Sequence, residues 1–159
     1  MIKKPKKIVV IRHAEKPIRQ GDQKLSSIGM KRAEDWARYI PHNFGTPDII
    51  YATRASKESI RPIMTIMPLF EALEDVKIDV SYADEGAENL GKELAPNEVH
   101  SHDGQIVVVC WHHGKIPELL KGLGAKHHEY PDPWPEDDFG TALVVTFEQD
   151  EPTVTKFKM

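Results

Sequence analysis

The stretch KIVVIRHAEKP, residues 7–17, sets four apolar residues, Ile8 to Ile11, directly against Arg12, His13 and, two positions on, Glu15. A short unbroken apolar run rich in β-branched residues is the pattern of a strand covered on both faces. A second stretch repeats the arrangement. IVVVCWHHGKIPELL, residues 106–120, carries a strand expected over Gln105 to Trp111 into His112, His113, Gly114 and Lys115. A helix is expected to follow from about Pro117, a residue suited to a first helical turn, and to end at Gly122 and Gly124.

Between these two runs the period changes. In LSSIGMKRAEDWARYIP, Met30, Ala33, Ala37 and Ile40 recur at steps of three and four, with Trp36 alongside. This predicts an amphipathic helix with Ser26 or Ser27 as N-cap and Pro41 at its end. Further strands are expected at Asp48–Ala52, Lys77–Ser81, Thr141–Glu148 and Thr153–Phe157, the last two joined by a turn around Gln149–Pro152. Further helices are expected at about Ser56–Glu74, where Pro62 and Pro68 must be accommodated, and at Glu85–Leu94. YPDPWPEDDFG reads as a loop, with Trp134 and Phe139 as its packing anchors. Strands alternating with helices predict an α/β domain with a mostly parallel sheet, where ligands gather at the carboxyl ends of the strands.

Composition narrows the class. The chain has 159 residues, 40% hydrophobic and 29% charged, which fits one globular domain spanning 1–159. Lys and Arg number 21 against 25 Asp and Glu, a formal charge of -4, so no general basic field draws nucleic acid. The apolar run behind Lys3, Lys4, Lys6 and Lys7 is too short for a secretory signal, and no run approaches a bilayer span. A single cysteine, Cys110, fits a reducing compartment and is expected to be buried packing. A cytoplasmic location is the expectation, with no membrane partner.

If the two apolar strands are neighbours, both histidine groups reach one rim of the sheet. In that arrangement the chain resembles the histidine phosphatase superfamily, with its phosphoglycerate mutase-like three-layer fold, from Lys7 to about Phe147. Four features carry the resemblance, in the family's order. RHAE at 12–15 resembles the Arg-His-x-Glu signature, and LSSIGMKRAEDWARYI the Leu-(Ser/Thr)-x-x-Gly-x-x-x-Ala helix. RPIMT at 61–65 resembles the Arg-x-x-x-Thr block, and the late strand into HHG the second histidine block.

The resemblance implies phosphoryl transfer through a covalent phosphohistidine, and the residue types suit it. Neutral imidazole is a competent nucleophile near neutral pH, which assigns that role to His13. Arg12 and Arg61 supply planar, permanently charged forks for the phosphoryl oxygens. Counting back from Ile116 selects His112 as the second catalytic histidine; matching the family's His-Gly pair selects His113. His113 is preferred, with His112 lining the same phosphate pocket. The acid for the leaving group falls to Glu85 or Glu88, with Glu85 taken first, or to neither if both are a solvated helix start, and Glu15 is expected to orient its neighbours.

The family's Ser-Pro before the second arginine is missing, so Arg54 and Lys57 are candidates to stand in. Trp111, where a small residue is usual, either narrows the pocket or offers a ring for stacking. Without room for long lids, the site suits a phosphorylated small molecule or a phosphorylated protein side chain. Hydrolysis of a phosphoric monoester or phosphoramidate is expected over mutase transfer between sugar-acid hydroxyls. No cofactor or metal is implied.

Two other classes remain. One is a catalytically weak or inactive phosphate-binding module of the same fold. The other is a metal site built from His100 and His102, or from the pairs His112-His113 and His127-His128, although adjacent strand residues point to opposite faces and chelate poorly.

Overall fold

The computed structural model describes residues 1–159. Its central strand, β1 (Lys7–Arg12), is followed by α1 (Ser27–Phe44), β2 (Ile49–Ala52), α2 (Arg61–Ala72) and β3 (Lys77–Asp79). A 3-10 turn (Asp84–Gly86) leads into α3 (Ala87–Leu94), then β4 (Ile106–Trp111) and α4 (Ile116–Gly122). After a second 3-10 turn (His127–Glu129) the chain ends in β5 (Thr141–Glu148) and β6 (Glu151–Lys158). The six strands form one sheet in the order β3-β2-β4-β1-β5-β6. β3, β2, β4 and β1 are parallel, whereas β5 pairs antiparallel with both β1 and β6.

Side-chain alternation in β1 builds the two halves of the core. Ile8 and Val10 join a cluster with Leu90 and Leu94 of α3 and Leu119 and Leu120 of α4. Val9 and Ile11 join Trp36 and Ile40 of α1 with Ile66 and Leu69 of α2 on the opposite face. β4 alternates in the same way, Val107 and Val109 to one cluster, Val108 and Cys110 to the other. The result is the expected α/β three-layer sandwich around a mostly parallel sheet.

Several boundaries differ from the sequence pattern, each for a local reason. α1 does not stop at Pro41 but continues to Phe44, where the Gly45 N–H closes on the Pro41 carbonyl. The missing proline N–H forfeits one hydrogen bond, worth about 1 kcal/mol. Burial of Phe44 returns about 1.5–3 kcal/mol. Met30 lies outside the buried face, which runs through Gly29, Ala33, Trp36, Ile40 and Phe44. Ser26 is the N-cap, accepting from the Gly29 N–H.

α2 begins only at Arg61, because Ser56 to Ser59 close a turn through the Ser59 N–H and the Ser56 hydroxyl. Pro62 occupies its first turn, while Pro68 is carried inside it. β3 ends at Asp79, whose carboxylate captures both the amide and the hydroxyl of Ser81. The β5–β6 turn is tight. Gln149 and Asp150 both adopt positive φ, and pairing resumes at once with Glu148 opposite Glu151.

Candidate active site

Parallel pairing of β1 with β4 sets Arg12 opposite Trp111, so the next residues, His13 and His112, emerge at one rim. The His13 N–H extends the ladder by donating to the Trp111 carbonyl at 3.0 Å. The two imidazoles meet edge to face, ring centres 5.2 Å apart. They open onto a cavity of about 480 Å³ whose wall also includes His113, Gly114, Arg61, Arg54, Lys16, Asp84 and Glu85.

His13 is buried, and its Nδ1 lies 2.7 Å from the Ala14 carbonyl. A carbonyl only accepts, so Nδ1 carries the proton and Nε2 keeps its lone pair. Burial lowers the imidazole pKa to about 3, with the charges of His112, Arg12 and Arg61 adding to it against the opposing Ala14 bond. The ring is therefore neutral throughout the physiological range.

The Arg-x-x-x-Thr block acts on this loop through its threonine. On α2, the buried Thr65 hydroxyl donates to the Arg61 carbonyl one turn back at 2.8 Å and accepts the Ala14 N–H at 2.9 Å. The backbone beside His13 is thereby fastened to the start of α2. Arg61 Nη1 donates to the Asp22 carbonyl at 2.7 Å, and its buried Nε has no partner. Burial also lowers the Arg61 pKa, with the Asp22 charge opposing.

Glu15 is tied to its neighbours on both sides. Its carboxylate receives Nε and Nη2 of Arg32 at 2.8–2.9 Å, and its carbonyl accepts the Ser26 amide and hydroxyl. Gly29 makes this junction possible, since a Cβ there would lie 2.3 Å from the Glu15 carbonyl oxygen. The helix motif and the histidine loop are thus one packed unit.

Arg12 does not line the cavity. Its Nη1 donates to the Glu136 carbonyl at 2.6 Å, with longer contacts of 3.4 Å to those of Pro135 and Asp138, and its guanidinium lies 3.8 Å from the centre of the Phe139 ring. Burial takes its pKa down to about 10. It reaches the cavity by charge, lowering the pKa of all three site histidines. Phe139 is therefore more than the packing anchor expected from sequence; Trp134 is buried and holds the loop through its indole N–H on the Asp138 carbonyl.

Contact with His13 separates the two adjacent histidines. His112 makes it, and burial, Arg61, His113 and Arg12 lower its pKa to about 4, with Glu85 opposing. His113 has a buried, unpartnered Nδ1 and stands between this cavity and one of about 340 Å³ beside Trp134. Burial and the charge of Arg12 lower its pKa.

Glu85 and Asp84 share the 3-10 turn on the cavity wall, whereas Glu88 pairs with Lys92 outside it. Asp84 was not singled out from sequence. Its pKa is raised by burial and then by Glu85, and its Oδ1 is buried without a partner. Trp111 anchors this turn to the strands: its fully buried indole donates Nε1–H to the Asp84 carbonyl at 3.0 Å. Trp111 thus neither narrows the cavity nor offers it a face. Arg54 lines the cavity, while Lys57 lies in the adjoining groove.

Three further histidines are engaged elsewhere. His100 Nε2 bonds the Leu94 carbonyl, His102 sits between the Tyr51 hydroxyl and Gln105, and the exposed His127 faces Asp132. No three His, Cys, Asp or Glu side chains converge as a metal ion requires.

No protein-family model matches the sequence, and no curated protein does. Solved structures do. A putative phosphohistidine phosphatase SixA from Agrobacterium tumefaciens is 18% identical, with a TM-score of 0.66 and coverage of 98% of this chain and 99% of that one. A phosphoserine phosphatase from Entamoeba histolytica is 17% identical, with a TM-score of 0.65 and 96% of each chain covered. A phosphoglycerate mutase from Plasmodium falciparum is 16% identical at a TM-score of 0.58, covering 96% of this chain and 89% of that one. The fold is the phosphoglycerate mutase-like fold that these structures share.

Proposed function

We propose that this chain hydrolyses phosphoric monoesters or phosphoramidates through a phosphohistidine formed on His13. The observation that carries the reading is the pinned, neutral imidazole of His13, lone pair on Nε2, in a cavity shared with Arg61 and His112. The substrate class is a phosphorylated small molecule or protein side chain, in keeping with phosphatases of this fold, and the setting is the cytoplasm.

Arg61, with its unpartnered Nε, and the imidazoles of His112 and His113 take the phosphoryl oxygens, while the charge of Arg12 adds to the field. Nε2 of His13 attacks phosphorus as the bond to the leaving oxygen or nitrogen breaks. The leaving atom takes a proton from the Asp84–Glu85 pair. Asp84 is the member whose raised pKa favours holding one, and Glu85 carries the neighbouring negative charge. Water then attacks the phosphohistidine, its proton passes to the carboxylate, and cleavage of the P–N bond restores the His13 lone pair. No step calls for a metal or cofactor.

The test uses labelled p-nitrophenyl phosphate and phosphoramidate, with denaturation in alkali, where phosphohistidine survives, and mapping of the label. Label on His13 and loss of turnover in His13→Ala are expected. Turnover without label on His13 overturns the mechanism; phosphate binding with no turnover favours a binding module instead.

A further inference from the structure

A second groove, of about 360 Å³, opens beside the cavity and shares Lys16, Glu58 and Arg61 with it. It runs between residues 16–22 and the start of α2, adding Arg19, Asp22 and Lys57 to the wall. Its charged groups are four cations, Lys16, Arg19, Lys57 and Arg61, against two carboxylates, Asp22 and Glu58. The Asp22 carboxylate is turned to the Lys24 amide at 2.9 Å. Lys16, Arg19 and Lys57 are exposed, and none enters an ion pair. In a chain of formal charge -4, this local excess runs against the whole.

Few hydrophobic residues line either space: Ala83 in the cavity, and Ile18, beside Pro17, in the groove. A single phosphoryl group fills only a fraction of the 480 Å³ cavity, which leaves room for the rest of the substrate to extend towards the groove. Arg61 belongs to both spaces and joins them.

We infer that the groove formed by Lys16, Arg19 and Lys57 beside Arg61 binds a second anionic group, phosphate or carboxylate, carried by the substrate's leaving group. The inference rests on His13 as the phosphoryl acceptor. Solvent-exposed charge contacts are individually weak and screened by salt, so together they favour the bis-anion by on the order of tenfold at low ionic strength.

The test compares alkanediol bisphosphates of increasing length with ω-phosphoalkanoates and with alkyl monophosphates ending in a hydroxyl. The reading is the ratio of kcat/KM between the doubly and singly anionic member of each pair. A ratio of about ten is expected at the best-fitting length, falling towards one in high salt and in the Lys16→Gln/Lys57→Gln variant. The bisphosphate and carboxylate arms show which anion is preferred. A ratio near one in the unmodified protein, or one that survives both lysine substitutions, overturns the inference. Calorimetric binding of the same pairs to His13→Ala reads the groove without chemistry. Preference there without turnover in the intact protein defeats only the phosphohistidine reading.

Discussion

Keeping His13 neutral ties the stability of the protein to pH. Unfolding returns the imidazole to its ordinary pKa near 6.5, whereas burial holds it at about 3 in the folded chain. Protons therefore bind the unfolded state more readily. The contribution of His13 is fully present above pH 6.5 and is lost as pH falls towards 3, where the deficit reaches about 5 kcal/mol. Between about pH 7.5 and pH 5 this one side chain is expected to remove about 2 kcal/mol. His112, held at about 4, acts in the same direction.

Substitution by asparagine isolates the effect, since its amide can still donate to the Ala14 carbonyl but does not titrate. Urea unfolding of both proteins at the two pH values gives a double difference. His13→Asn is expected to lose about 2 kcal/mol less than the unmodified protein on acidification. Equal losses would mean that His13 is not held neutral by its surroundings, and the argument for a ready nucleophile would fail with it.

Three further outcomes follow from contacts described above. Thr65→Val keeps the volume but strips the Ala14 N–H of its partner, so stability should fall by about 1–3 kcal/mol in denaturant melts, with a larger loss of turnover than in Thr65→Ser. Gly91→Ala and Gly122→Ala should each destabilise despite alanine's better helix propensity. Their Cβ atoms would meet backbone oxygens of the facing helix at 2.3 and 2.2 Å, and thermal melts read the change. Trp111→Phe removes the bond to the Asp84 carbonyl and is expected to lower kcat severalfold more for a substrate with a poor leaving group than for p-nitrophenyl phosphate, where little acid assistance is needed.

Most of the architecture was legible because the two buried strands announce themselves as uninterrupted β-branched runs, and α1 by its three-and-four spacing. What escaped depended on three-dimensional partners. Pro41 reads as a stop, yet Phe44 finds a buried seat beyond it. Met30 reads as core, but the contact belongs to Gly29, where a missing side chain lets two backbones touch. In the site, the motifs led to His13, Arg61, His112, His113 and Glu85, all on one cavity. Asp84 went unmarked because the indole that fixes its backbone lies 27 positions along the chain. The grip of the proline-rich loop on Arg12 was hidden for the same reason, with 124 positions separating Arg12 from the Glu136 carbonyl.

The reversed direction of β5 determines which wall of the His13 cavity can be remodelled. A parallel neighbour of β1 would deliver its trailing loop to the reactive rim; β5 instead delivers the segment that precedes it, 125–140, and ends at the far side in its hairpin with β6. Length changes in that segment would therefore reshape the arginine flank and, through Phe139 and Arg12, the surroundings of His13, without altering the β1–β4 register. Variation in the shape of this cavity has an obvious place to occur, and it lies outside every motif that supplies its histidines.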